Sequence, residues 1–252
     1  WTRNPEIAVL DACRELGAAF VAFSPVARGF LCGELRDVST LYAKDIRRAM
    51  PRFAPDAYAA NLALLDGYQA LIKQYNNVGL RHRIEHAQVV APEEFPRFAA
   101  LGVIASMQPT HATSDQNMAE QRVGHERIKG AYAWRTFLKQ GSRIACGSDF
   151  PIESPNPFEG IHAAVTRQNS EGFPAGGWYP QQAMTVTQAL RCFTLDAAWA
   201  AHQEKVIGTL EAGKWADFIV VDQDLFKVDP KAIGKTQVLQ TWVAGQRVFE
   251  KK

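Results

Sequence analysis

The chain has 252 residues, 47% of them hydrophobic, and a formal charge of +2 from 28 basic and 26 acidic side chains. That length buries a substantial core, in one large domain or two small ones. The charges are spread along the chain without a basic block or an aromatic-basic stripe, which excludes a nucleic-acid partner. The four cysteines, Cys13, Cys32, Cys146 and Cys192, are widely separated and form no Cys-x-x-Cys pair. They read as reduced packing residues of a cytoplasmic protein. No apolar run approaches the roughly 20 residues of a membrane span, and the N-terminus lacks the basic and apolar regions of a signal peptide. A sequence that opens on Trp1 rather than Met reads as a trimmed or partial chain.

Residues 5–16 carry Ile7, Leu10, Ala12, Cys13 and Leu16 at helical spacing, with Asn4 as N-cap, Pro5 in the first turn and Gly17 as the stop. Residues 18–23 are an apolar run of strand length, closed by Ser24-Pro25 and a loop with Gly29 and Gly33. Helix followed by strand is the α/β rhythm. The polar, arginine-rich stretch 36–55 predicts a long loop or a short surface helix. Residues 57–74 predict an amphipathic helix with Leu62, Leu65, Tyr68, Leu71 and Ile72 as its apolar stripe.

Within this first part, Trp1-Thr2-Arg3-Asn4-Pro5-Glu6, Arg14-Glu15-Leu16-Gly17, Phe20 to Leu31 and Met50-Pro51-Arg52-Phe53 resemble the later portion of an aldo-keto reductase barrel. The likeness covers residues 1–73 and implies that Ser24 and Arg28 correspond to contacts with a nicotinamide cofactor. That family's catalytic tyrosine, lysine, aspartate and histidine lie on upstream strands that this sequence does not contain. Acid-base chemistry needs those groups, so neither reductase activity nor NADP is expected.

Asn76-Asn77 and Gly79 mark a turn-rich boundary. Beyond it, residues 83–90 and 103–108 predict strands, 92–101 and 130–140 helices, and Arg143 to Asp149 a short apolar strand ending in a carboxylate. Residues 157–168 and 185–202 predict helices, the second capped by Thr185. Past Gly208 the pattern turns to β, at residues 218–221 and 238–249, with turns at Gly213-Lys214, residues 222–224 and Ala244-Gly245-Gln246. The segments are therefore 1–77, 78–205 and 206–252.

Three polar groups, His86, His111 and Asp149, fall at or near the ends of successive strands, where a parallel α/β enzyme keeps its chemistry. The plainer reading is that an aspartate after a strand caps a helix and that a lone histidine fills a core through hydrogen bonds. His82, His125, His162 and His202 lack strand-end placement and take that plainer reading. So does Glu85, on the opposite strand face beside Arg83 and Arg81.

His82-Arg83-Ile84-Glu85-His86-Ala87-Gln88, Ser106-Met107-Gln108-Pro109-Thr110-His111, Tyr132-Ala133-Trp134-Arg135, Gly147-Ser148-Asp149-Phe150-Pro151 and Gly208 to Phe218 resemble the C-terminal part of the amidohydrolase superfamily, in the branch with the N-substituted formamide deformylases. The phrases run from about residue 78 to the end, in the family's order. The resemblance implies that His86 is a metal-binding histidine of the sixth barrel strand. It also implies that Asp149 is the eighth-strand aspartate that binds metal and moves the proton of the attacking water, with His111 a substrate contact. Imidazole nitrogen and carboxylate oxygen suit zinc or another divalent metal. The family's first-strand His-x-His, bridging ligand and fifth-strand histidine have no counterpart here, and one histidine plus one aspartate falls short of three protein ligands.

One strand from the first part and three from the second give a partial, half (βα) barrel of four parallel strands plus a short C-terminal β segment. Half a barrel exposes two edges, which a homodimer or higher oligomer closes. The expected function is hydrolysis of amide or ester bonds in a small molecule. A serine-type esterase built on Ser148, beside Asp149, is the second reading, although no Gly-x-Ser-x-Gly or Ser-x-x-Lys is present. The third is an inactive chimeric scaffold. Cys146, two residues inside the strand, reads as packed rather than reactive.

Overall fold

The computed structural model describes residues 6–17, 27–30, 34–74 and 81–252, with side chains of the long helix described as far as residue 67. The chain divides into two compact units, Trp1–Gly79 and Leu80–Lys252.

In the first unit, α1 (Val9–Glu15) buries no residue. Three single 3-10 turns, Val38–Thr40, Ile46–Ala49 and Pro51–Phe53, occupy the arginine-rich stretch. Two of them start where an aspartate carboxylate accepts a backbone N–H, Asp37 from Ser39 and Asp45 from Arg47, and short polar side chains cap turns more readily than they sustain helices. Helix α2 (Pro55–Gln74) follows. Its Tyr58 stacks on Phe53 at 5.7 Å and meets Phe30 edge-on at 5.4 Å, while Tyr58 donates to the Leu35 carbonyl at 2.6 Å. Leu65 closes this small core. The strand expected at 18–23 and Ser24 lie outside the described residues. Arg28 lies within them, with an exposed side chain and its carbonyl accepting from Arg47.

The second unit is built on a parallel sheet of β1 (Arg83–Glu85), β2 (Ile104–Met107) and β3 (Ile144–Cys146), in that order. Arg83 pairs with Ile104 and Ala105 with Ile144. The central strand is the apolar one because helices cover it: Ile104, Ala105 and Met107 are each at most 1% exposed. Helix α3 (Phe95–Leu101) connects β1 to β2. After β2 come α4 (Pro109–Asp115), α5 (Ala119–Arg127) and α6 (Trp134–Lys139). Phe95 and Phe98 both pack edge-on against Phe137 at 4.8 Å, tying α3 to α6 beneath the sheet. Burying aromatic rings of this size contributes roughly 2–3 kcal/mol each.

Neither α4 nor α5 was anticipated. Pro109 opens α4 at a position where its missing N–H costs nothing, and α5 is mostly polar, with Ala119 and Val123 its apolar residues, and bent at Gly124, so neither carries a long apolar stripe. The expected helix 185–202 is two helices, α8 (Val186–Phe193) and α9 (Leu195–Ala200), broken at Thr194; α7 (Pro157–Thr166) precedes them. Thr185 caps α8 through a reciprocal pair with Gln188. On the other side of the sheet, Trp199 of α9 lies between the guanidinium groups of Arg81 and Arg143, each 4.3 Å from a ring centroid. Three parallel strands are thus present among the described residues where four were expected of the chain, the fourth expectation falling on residues outside those described.

The C-terminal β4 (Phe218–Val221), β5 (Val238–Val243) and β6 (Gln246–Glu250) form a separate antiparallel sheet. Phe218 stacks on Trp242 across it at 5.5 Å. The cysteine reading needs correction: Cys146 and Cys192 form a disulfide, with Cα atoms 5.1 Å apart, so two of the four cysteines are paired rather than reduced. Their 46-residue separation hid the pairing, because only the packing of α8 on β3 brings them together. No helix among the described residues is long and apolar enough to cross a membrane.

Candidate metal centre

The carboxyl ends of the three parallel strands converge on His86, His111 and Asp149. His86 follows the last residue of β1, and Asp149 lies three positions beyond β3. Both adopt the left-handed backbone conformation, with φ of 71° and 59°. For residues other than glycine this costs about 1–3 kcal/mol each and persists where the surroundings dictate it. His111 stands in the first turn of α4, not at a strand end, because Gln108 is extended and Pro109 begins the helix.

One donor atom from each of the three residues lies within 4.8 Å of the others. His111 Nε2 is 3.7 Å from Asp149 Oδ2, and the two imidazole rings are 5.7 Å apart between centroids, tilted by 30°. The His111 side chain is buried and neither ring nitrogen has a hydrogen-bond partner among the described residues. A buried polar atom left in that state costs roughly 1–3 kcal/mol. His86 Nδ1 lies 2.8 Å from Oε1 of the buried Gln108. With that oxygen accepting, Nδ1 carries the proton and Nε2 keeps its lone pair, the arrangement that orients a metal-binding histidine.

Two neutral imidazoles and a carboxylate are the borderline donor set that zinc takes in sites with three protein ligands. Donors sharing one such ion stand about 3–3.5 Å apart, at about 2 Å from it, so the 3.7 Å pair needs little adjustment. The residues present therefore fit a divalent metal. Gln108 escaped the sequence reading as a functional residue. Its signal was a polar residue ending the apolar run of β2 immediately before the proline that starts the His111 helix.

Ser148 is adjacent, but its Oγ accepts the backbone N–H of Phe150 at 3.2 Å, and among the described residues neither nearby imidazole bonds to it. Cys146 is occupied by its disulfide. Glu85 pairs with Arg83. His82 is exposed, and His125 is exposed beside Glu120 at 3.1 Å. His162 is buried in α7, where burial lowers its pKa, and His202 follows α9 in a turn.

A parallel βα layer with imidazole and carboxylate donors gathered just beyond the carboxyl ends of its strands has the build of part of a βα barrel. More specifically, the chain belongs to the amidohydrolase family, whose sequence profile matches residues 38–249. It is 34% identical over 191 residues to Protein LONG AFTER FAR-RED 3 of Arabidopsis thaliana, covering 75% of this chain and 32% of that protein. It is 30% identical over 190 residues to the N-substituted formamide deformylase of Arthrobacter pascens, covering 75% of this chain and 34% of the enzyme. Among solved structures, a metal-dependent hydrolase of Pyrococcus horikoshii superposes with a TM-score of 0.54 at 30% identity, over 66% of this chain and 33% of that one. The chain thus spans about a third of the length of the curated relatives it matches. A shorter likeness, 34% over 86 residues, is to the aldo-keto reductase str7 of Strobilurus tenacellus, covering 34% of this chain and 24% of that protein.

Proposed function

We propose that this chain is a hydrolase in which His86, His111 and Asp149 hold one divalent metal, zinc by the chemistry of its donors, and that it cleaves amide or ester bonds of a small molecule. The observation that carries this reading is His111: an imidazole buried with both nitrogens unpartnered among the described residues, 3.7 Å from a carboxylate oxygen. Zinc, when bound, lowers the pKa of its water to about 7 and polarises a carbonyl.

The protein's own groups divide the remaining work. Gln108 fixes the tautomer and direction of His86 through Nδ1. Asp149, with 37% of its side chain exposed beside the buried His111, is the one donor open enough to take a proton from water and return it to the leaving group. Ester leaving groups ask less of that acid than amides do, so small activated esters are the first substrates to try. The serine reading finds no support in the contacts of Ser148.

Two further elements belong to the same proposal. The three residues of β1 are exposed, Ile84 at 49%, and β1 and β3 each lack a second strand partner among the described residues, which suits completion of the barrel by a second copy. A fused origin, with residues 1–77 reductase-like and 78–252 amidohydrolase-like, draws support from the division of the chain at Gly79, while the amidohydrolase profile reaches back to residue 38, so the junction of the two likenesses lies before that division. The test is hydrolysis of p-nitrophenyl acetate and of an N-formyl amine with and without chelator. Activity lost to chelator and restored by zinc supports the reading. Activity that survives chelator and is lost in Ser148→Ala overturns it in favour of the serine enzyme.

A further inference from the structure

We infer that Tyr132 is a positioning residue for the His86, His111 and Asp149 centre, the strut that sets the distance between the two imidazole-bearing segments; this rests on the metal reading above. Its phenol accepts a hydrogen bond from Gln88 Nε2 at 3.0 Å and donates one to Asp115 Oδ2. Gln88 is two residues past His86. Asp115 is four residues past His111, one turn further along α4. One hydroxyl therefore bridges the two segments on which the imidazoles stand.

The backbone reinforces the same junction. Tyr132 N–H donates to the Gln88 carbonyl at 2.8 Å, Val90 N–H donates to the Gly130 carbonyl at 3.0 Å, and Val89 pairs antiparallel with Ala131. The approach is so close that a Cβ on Gly130 would stand 1.9 Å from the Val90 oxygen. Behind Tyr132, Arg167 donates through Nη1 to its carbonyl at 3.0 Å and through Nε to the Trp178 carbonyl at 2.7 Å. That guanidinium is fully buried and lies 4.3 Å from the Trp134 ring centroid. Tyr132, itself 2% exposed and held at φ 48°, is thus fixed from both sides.

A phenylalanine would fill the same volume without burying a hydroxyl, so the hydroxyl's distinct contribution is the Gln88 and Asp115 link. Burial first, then the Asp115 carboxylate, raise the phenol pKa above its ordinary 10, which keeps it a donor over the working pH range.

The experiment measures zinc affinity by competition with a chromogenic chelator for the wild-type chain, Tyr132→Phe and Phe98→Leu, alongside thermal unfolding of each in chelator. Tyr132→Phe is expected to bind zinc about tenfold more weakly, the lower end for loss of a supporting hydrogen bond. Phe98→Leu trims the same core next to Phe137 and is expected to lower the unfolding temperature with zinc affinity unchanged. Tyr132→Phe binding within twofold of wild type, with wild type itself binding, overturns this inference and leaves the metal reading standing. A wild-type chain that takes up no zinc overturns both. Should Tyr132→Phe not fold, Gln88→Leu, which cuts one arm at a half-buried side chain, carries the same expectation and the same refutation.

Discussion

His111 Nε2 and Asp149 Oδ2 stand 3.7 Å apart, too far for a hydrogen bond and too close for indifference, with the imidazole buried and both of its nitrogens unpartnered among the described residues. The Asp149 carboxylate is 37% exposed and open to solvent, so the burial cost falls on the imidazole, and the proposed shared cation would satisfy it. A core histidine is ordinarily hydrogen-bonded to protein or ordered water, and the proposed metal reading accounts for an imidazole that has no protein partner among the described residues.

His111→Leu removes the orphaned nitrogens and keeps an apolar side chain of similar size. In chelator its stability to urea is expected to match or exceed that of the wild type, within about 1 kcal/mol, since the lost imidazole was costing roughly that much. Zinc-dependent stabilisation disappears in the same variant. A loss of several kcal/mol in chelator would mean that His111 is held by the fold itself.

Asp149→Asn tests the proton-moving carboxylate with little disturbance, because asparagine tolerates the left-handed backbone at φ 59°. Hydrolysis is expected to fall by about 10²–10⁴-fold. Urea unfolding in chelator should shift by no more than about 0.5 kcal/mol, as for other partly exposed positions. Equal activity in both proteins would favour a different centre.

The Cys146 to Cys192 bridge joins β3, the strand leading to Asp149, with α8 across a separation of 46 residues. Closing a loop of that length constrains the unfolded chain by about 4 kcal/mol. Reductant, or Cys192→Ala, is therefore expected to lower stability by a sizeable part of that amount. Urea titrations with and without a thiol reductant check it.

Arg81 holds Glu204 through two hydrogen bonds of 2.6 and 2.8 Å, and this brings the Glu204 carboxyl down to about 2 from an ordinary 4.5. A carboxyl with a depressed folded pKa contributes stability that is fully present above its unfolded pKa and is lost as pH falls through its folded value. Glu204→Gln should therefore be less stable than wild type at neutral pH, and the gap should close between about pH 4.5 and 2. Acid titrations of both proteins, followed by circular dichroism, check the direction.

How far the sequence foretold these features follows from what each depends on. The strands ending near His86 and Asp149 were legible because buried parallel strands are short apolar runs and their ends are marked by polar residues. The β character of residues 218–221 and 238–249 was legible for the same reason, helped by Gly213 and Gly245. Helix α4 was not, because Pro109 disguises its start and its seven residues carry no apolar periodicity. Placing His111 at a strand end followed from that omission, and Gln108 was overlooked with it. The disulfide and the bridge from Gln88 through Tyr132 to Asp115 depend on contacts between distant residues, which local patterning does not encode.

The most direct measurement is the zinc stoichiometry of the purified chain, by elemental analysis after loading and desalting, for wild type beside His86→Leu, His111→Leu and Asp149→Asn. One tightly held zinc per wild-type chain, lost in each of the three variants, is the expected result. No retained zinc in the wild type, or zinc retained equally in all four proteins, would contradict a centre built from these residues.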